Sequence, residues 1–362
     1  MAVTGISFAR GAPSLDIIDV EGLRDAAARA FAQDPGGATA YGTAVGYVPL
    51  RRWIAERAGV EEAQVLVTNG SMQADAFLFD ELVAAGDEVI VERPSYDRTL
   101  LALRQRGAAL RAIPIEPDGI DTEALAAALA GGARPKLAHI IPNFHNPAGY
   151  TLSGPKRHRL LELAREHEFT IFEDDPYIAL RFRGETLPTM LSLDHGEGSV
   201  VYASSFSKTV CPGIRVGYLI GSSDLIARIA VRATNTYISP SMVDAAIVYQ
   251  FCTSGALERS IERVRDALEQ RVGVLAQALR AQIPGASFVE PDGGYFLWVR
   301  LPDGCEPSAV LAAAAEHQLA LVSGDDFVLD GASGSVRLAF SGVTPDEIRE
   351  GVTRLAAAIE TL

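Results

Sequence analysis

The chain has 362 residues, and 32 Lys and Arg against 46 Asp and Glu give it a formal charge of −14. Single cores stop growing at roughly 250–300 residues, so two linked domains are expected, and 48% hydrophobic against 22% charged residues excludes wholesale disorder. The acidic balance argues against a nucleic-acid partner or an anionic membrane surface, either of which the whole-molecule field would repel.

Residues 1–30 are expected to form an N-terminal segment that packs with the smaller domain and the functional site. From about residue 60 to 221, short β-rich runs at Val65–Thr68, Glu88–Val91, Leu137–Ile141, Thr170–Phe172, Val200–Ala203 and Val216–Ile220 alternate with helical stretches such as 96–106 and 154–168. That alternation predicts a large α/β domain on a mainly parallel sheet, placed at 31–275. After Ser222 the pattern changes to helices at roughly 222–234, 240–253 and 256–282, the last with Arg263, Arg265 and Glu269 on its polar face. A small α+β domain is placed at 276–362. Its strands fall near 295–300, 319–323 and 335–340, with a helix near 307–316 and a closing amphipathic helix from Pro345 to Ile359. Cys211, Cys252 and Cys305 are far apart and in no CxxC arrangement, which suggests neither a disulfide framework nor a zinc site and points to a cytoplasmic setting. No apolar run reaches the roughly 18 residues of a membrane span, and Met1 to Arg10 has no signal-peptide pattern. The six histidines show no HxxxH or HExxH spacing, so no metal is expected.

The chemistry-bearing residues fall at the ends of the predicted strands. Ser204-Ser205-Phe206-Ser207-Lys208-Thr209 follows the strand at 200–203, and Arg215 lies seven residues beyond Lys208. A Lys at the carboxyl end of a buried strand sits where open α/β sheets place their ligands. Desolvation and the nearby Arg would lower its pKa, the condition for Schiff-base chemistry. A lone Lys there would read as a solvated loop residue. Thr170 to Asp174 is an apolar strand ending in acids, with Tyr177 three residues after Asp174; a fixed carboxylate suits a protonated pyridine nitrogen, although an Asp pair is also a common helix cap or Mg²⁺ ligand set. Asn146, in Asn143-Phe144-His145-Asn146-Pro147-Ala148-Gly149, belongs to a rigid turn after a strand. Thr68-Asn69-Gly70-Ser71-Met72 presents backbone N–H groups and a hydroxyl at a helix N-terminus, a generic phosphate cradle without P-loop or GxGxxG spacing. Tyr96 follows the strand at 88–91, where by itself it would be read as a core residue.

In that order, Asn146, Asp174 with Tyr177, Ser205 with Ser207 and Lys208, and Arg215 resemble the fold-type-I pyridoxal-phosphate enzymes. Specifically, the chain resembles the class I/II aminotransferases of the 2-aminoadipate, kynurenine and aromatic branch, from Ile6 to Leu362. The resemblance implies a seven-stranded type of sheet in the large domain and pyridoxal 5′-phosphate as cofactor. It implies Lys208 as the Schiff-base lysine, Asp174 as partner of the pyridine nitrogen, and Asn146 and Tyr177 on the ring's phenolic oxygen. Tyr96 would stack on the ring. Ser71, the amide of Met72, Ser205, Ser207 and Arg215 would bind the phosphate. Tyr41 would reach the phosphate of a neighbouring subunit, implying a homodimer with shared sites. Arg337 would grip the α-carboxylate of an amino acid or 2-oxo acid; alternation along Ser335 to Ser341 puts it opposite Val336, Leu338 and Phe340. Gly11 would line the substrate pocket.

Met72, His145 and Ala148 stand where relatives usually carry Gln, Gln and Thr. His145 is read as packing beside the turn, and Arg10 is a candidate second carboxylate anchor. The implied activity is ping-pong transfer of an α-amino group to a 2-oxo acid. The same toolkit serves a β-eliminating carbon–sulfur lyase or an amino-acid oxidase. An effector domain of a winged-helix regulator is the reading from another class; the charge of −14 and a start directly on the aminotransferase-like segment count against it.

Overall fold

The computed structural model describes residues 5–362. Among the described residues thirteen strands occur in chain order: β1 (Ile6–Ser7), β2 (Val65–Thr68), β3 (Glu88–Arg93), β4 (Ala109–Glu116), β5 (Gly119–Ile120), β6 (Pro135–Ile140), β7 (Thr170–Asp174), β8 (Val200–Ser205), β9 (Gly217–Ile220), β10 (Phe296–Arg300), β11 (Leu319–Ala320), β12 (Val322–Ser323) and β13 (Ser335–Ala339). The large sheet has the order β2-β9-β8-β7-β6-β3-β4-β5. Its centre, β4-β3-β6-β7-β8, is parallel, and β9 and β5 run against their neighbours. The sheet therefore has eight strands rather than seven. The addition is the two-residue β5, which pairs with the end of the half-exposed edge strand β4.

Buried apolar runs make the central strands: β8 and the inner part of β3 are wholly buried, as expected for a parallel sheet covered by helices on both faces. Apolar clusters on the two faces unite Leu66, Phe79, Val91 and Phe172 on one side and Ile90, Leu125, Leu160 and Ile171 on the other. Chain order reverses between β6 and β3, so the carboxyl ends of these two strands flank the crevice where ligands of such sheets bind.

The second core is built on the sheet β10-β13-β12. The single strand expected at 319–323 divides at Leu321: β11 pairs with β1, whereas β12 pairs with β13. Residue 275 lies inside one continuous helix, Ala256–Gln282, whose Leu257 packs in the large domain and whose Val264, Leu268, Val272 and Leu279 pack against the small sheet. The N-terminal segment packs with this second core: β1 pairs with β11 in a separate two-stranded sheet, and Phe8, fully buried, accepts the Ala339 N–H of β13. Among the described residues no helix is long and apolar enough to cross a membrane.

Candidate active site

At the carboxyl ends of β3, β6, β7 and β8 lies a cavity of about 170 Å³ lined by Ser71, Met72, Asp75, Tyr96, Asn146, Asp174, Tyr177, Ser205, Ser207, Lys208 and Arg215 among others. Ten of the residues singled out from sequence thus meet in one place. The antiparallel β9 helps to close it: Gly217 pairs with Ser205 and with Thr68, bringing the start of the helix Ser71–Leu82 beside the loop after β8.

That junction is an anion cradle. Gly70 caps the helix at φ +86°, and the first-turn N–H groups of a helix have no acceptor within it. A Cβ on Gly217 would stand 2.5 Å from Ser71 N, and one on Gly70 would stand 2.1 Å from Arg215 Nη2. Only glycine leaves room for both. Arg215 donates to Asn69 O at 3.2 Å and to Ser207 Oγ at 3.3 Å, while Ser205 Oγ donates to Ser207 Oγ at 3.0 Å. The side chain of Met72 is half exposed.

Asp174 is the last residue of β7 and is 5% exposed. Its Oδ1 has no hydrogen-bond partner, and its Oδ2 lies 3.4 Å from His139 Nε2, which in turn lies 3.4 Å from Thr99 Oγ1. The adjoining Asp175 accepts from Asn143 Nδ2 at 2.7 Å, and Arg157 donates to Asn143 Oδ1 at 2.9 Å, tying the ends of β6 and β7 together.

Lys208 Nζ donates to Gly11 O at 2.8 Å and lies 5.5 and 5.2 Å from the ring centres of Tyr177 and Tyr295. Burial first, and then the positive charge of Arg337, bring its pKa down to about 8. Arg337, at 8% exposure, is held between the rings of Phe296 and Phe327 at 4.5 and 4.9 Å. It donates to Asn146 Oδ1 at 2.9 Å and Ala9 O at 2.8 Å, and its buried Nε has no partner. Gly11 faces the same wall: a Cβ there would lie 2.4 Å from Phe296 Cζ.

His145 is fully buried and stacks on Tyr150 at 4.8 Å; its Nδ1 accepts from Ala148 N–H and its Nε2 lies 3.1 Å from Glu92 Oε2. Glu92 also accepts from Ile141 N–H at 2.9 Å and from the Tyr150 hydroxyl. His145 therefore packs under the Asn146 turn. Tyr41 lies apart from the cavity, 89% exposed, beside Ser239, Pro240 and Met242, and the Arg10 side chain is exposed.

Sequence reasoning missed Asp75, His139, Tyr295 and Phe296. Asp75 stands four residues after Ser71, the spacing that puts both on one helix face. His139 stands alone in an apolar strand that ends beside the site, a weaker signal.

An electron-sink cofactor with a phosphate, a ring nitrogen and a lysine-reactive aldehyde fits this arrangement: the glycine-lined cradle has room and donors for an anion, and the buried Asp174 Oδ1 is an acceptor without a partner. The class is that of lysine-based pyridoxal-phosphate enzymes. The chain belongs to the family of class I and II aminotransferases, whose pattern it matches over residues 3–355. It is 32% identical over 361 residues to a 2-aminoadipate transaminase of Thermus thermophilus, covering 99% of this chain and 90% of that protein. It is 30% identical to an aromatic-amino-acid aminotransferase of Thermococcus litoralis, covering 98% and 88%. The crystal structure of an alpha-aminoadipate aminotransferase from Thermus thermophilus complexed with N-(5′-phosphopyridoxyl)-L-leucine superposes with a TM-score of 0.94 at 30% identity, covering 99% of this chain and 92% of that one. The protein is a pyridoxal-phosphate-dependent transaminase.

Proposed function

We propose that this site moves the α-amino group of an amino acid to a 2-oxo acid in two half-reactions, with Lys208 as the group that bonds the cofactor and then carries the proton. The observation that carries this reading is the placement of Lys208 Nζ in one cavity with Asp174, an anion cradle and, at its edge, Arg337.

Pyridoxal phosphate, when bound, supplies an aldehyde that condenses with amines and a protonated ring that draws electrons from the substrate α-carbon. Asp174 would hold the ring nitrogen, Asn146 and Tyr177 the phenolic oxygen, and Tyr96 one ring face. Ser71, the Met72 amide, Ser205, Ser207 and Arg215 would hold the phosphate. With a pKa of about 8, Lys208 keeps a share of neutral amine at neutral pH, so Nζ can accept a proton from the substrate α-carbon and return it. Arg337 offers its unpartnered Nε and the fork beside it to the substrate carboxylate. The Gly11 backbone borders the substrate.

A homodimer belongs to this reading. Tyr41 is too exposed to serve its own site, and a partner's phosphate is the acceptor that would use its hydroxyl. Sedimentation of the purified chain as a dimer supports that assignment, and a monomer at full activity removes it. Relatives named for 2-aminoadipate, aromatic amino acids and kynurenine supply the donor panel.

The test is a single turnover without an acceptor. One equivalent of 2-oxo acid per subunit, with loss of the visible band and no ammonia, is the expected result. Continuous release of pyruvate and ammonia from cysteine conjugates would replace transamination by elimination.

A further inference from the structure

The cavity holds a second carboxyl to which the mechanism assigns no task. Asp75 sits one helical turn beyond Ser71, is 7% exposed, and its Oδ1 is buried without a hydrogen-bond partner. Asp174 Oδ1 is buried and unpartnered in the same cavity.

The groups around Asp75 do not supply a counter-charge. Lys208 donates to Gly11 O, and Arg215 to Asn69 O, Pro212 O and Ser207 Oγ; among the described residues neither forms an ion pair with Asp75. Tyr96 and Tyr177 are the other titratable groups of the cavity, and His139 and Thr99 stand behind Asp174. The remaining acids of this helix turn outward, Asp80 to Arg106 on one neighbouring helix and Glu81 to Arg228 and Arg232 on another. Two carboxylates enclosed together are disfavoured twice, by loss of water and by mutual repulsion, and the pair responds by keeping a proton. Burial and then the charge of Asp174 push the Asp75 carboxyl well above the usual range.

We propose that Asp75 and Asp174 form an acid pair in the cofactor cavity, in which Asp75 stays protonated at neutral pH beside Asp174, the group that faces the ring nitrogen. Asp75 is thereby a positioning residue: it adds no second negative charge at that end of the cavity. The proposal rests on the cofactor reading given above.

The experiment compares holoenzyme of the wild type with Asp75→Asn and Asp75→Leu, the second keeping comparable bulk without a polar group. Infrared difference spectra at neutral pH are expected to show the C=O stretch of an un-ionised carboxyl in the wild type, lost in both variants. In parallel, thermal unfolding is followed across pH. The folded wild type keeps a proton that its unfolded chain releases above about pH 4, so its folding constant should fall relative to either variant by about tenfold per pH unit until Asp75 ionises. A carboxylate signature in the neutral difference spectrum, or a wild-type-to-variant ratio that does not change with pH, overturns the acid pair. If Asp75→Asn fails to fold, Asp75→Leu carries both readouts. A wild-type protein that shows the acid band yet takes up no pyridoxal phosphate supports the pair and overturns the cofactor reading instead, so the two failures are distinguishable.

Discussion

Replacing Arg337 by Gln should slow the bonding of cofactor to Lys208 before any substrate is present. At a pKa of about 8, about one Lys208 in ten is neutral at pH 7, against about one in 3000 at the ordinary lysine value. The low value is therefore worth about 300-fold in reactive amine. After burial, Arg337 is the largest contributor to it. Two unit charges about 10 Å apart interact by roughly 1–2 kcal/mol at an effective dielectric of about 20, which is about one pKa unit. Removing the guanidinium returns the amine part of the way to its ordinary value, so the neutral share at pH 7 falls to about one in a hundred. Apoenzyme mixed with pyridoxal phosphate in a stopped-flow instrument should then develop its visible band about tenfold more slowly at pH 7. The deficit should close above about pH 9. Arg337→Lys keeps the cation and should keep most of the wild-type profile. Coincident profiles for wild type and Arg337→Gln, or an equal displacement in Arg337→Lys, would refute the electrostatic argument.

Lys208→Met in the apoprotein should raise stability. The folded-state pKa is depressed, so the folded chain binds fewer protons than the unfolded one between about 8 and 10.5, and the wild type regains stability as pH rises through that window. Below about pH 8 the full deficit of about 3 kcal/mol applies, so the melting temperature of Lys208→Met should exceed that of wild type at pH 7 and the gap should shrink toward pH 10.5; a gap independent of pH removes the argument. Gly217→Ala drives a Cβ to 2.5 Å from Ser71 N, a backbone atom that cannot swing aside, and should weaken pyridoxal-phosphate affinity at least about tenfold, roughly 1.4 kcal/mol, in an equilibrium titration. Unchanged affinity would move the phosphate elsewhere. His145→Gln should leave the amino-acid KM within about threefold, about 0.7 kcal/mol, because His145 packs under the turn; a larger rise in steady-state assays would place it on the substrate.

The parts of this site that sequence reveals are those whose residue types contradict their surroundings. Asp174 ends one apolar strand and Lys208 lies in the loop just after another, and an ionisable group at the end of a buried strand has few structural reasons to be there. Arg337 was legible through the period of β13, because alternation sets it apart from Val336 and Leu338. Asp75 was not. The helix Ser71–Leu82 carries other acids, Asp80 and Glu81, that turn outward to arginines, so a further acid among its apolar residues does not stand out in the sequence. The strands β4 and β5 escaped notice for the opposite reason: β4 is an edge strand containing Pro114, with a burial pattern too broken to read as a buried run. The split of the 319–323 strand depends on a partner at the other end of the chain, since β11 reaches β1 while β12 reaches the nearby β13. Such a contact leaves no local trace.

Two cations in one enclosed site repel each other, and the way this chain tolerates Lys208 and Arg337 together links the site to the small domain. Each donates to a carbonyl of the same N-terminal segment: Lys208 Nζ to Gly11 O, Arg337 Nη2 to Ala9 O. That segment is fixed by β1 on β11 and by Phe8, whose backbone bonds both Ala320 and Ala339. Carbonyl dipoles thus stabilise both charges without neutralising either, leaving Arg337 cationic for a carboxylate and Lys208 acidic enough to release its proton. A carboxylate in place of those carbonyls would pair with both cations, raise the pKa of Lys208 and compete with the substrate for Arg337. Neutral acceptors avoid both costs: residues 9–11 serve the site through main-chain oxygens while the Arg10 side chain is exposed, and the other acceptor of Arg337 is the uncharged amide of Asn146.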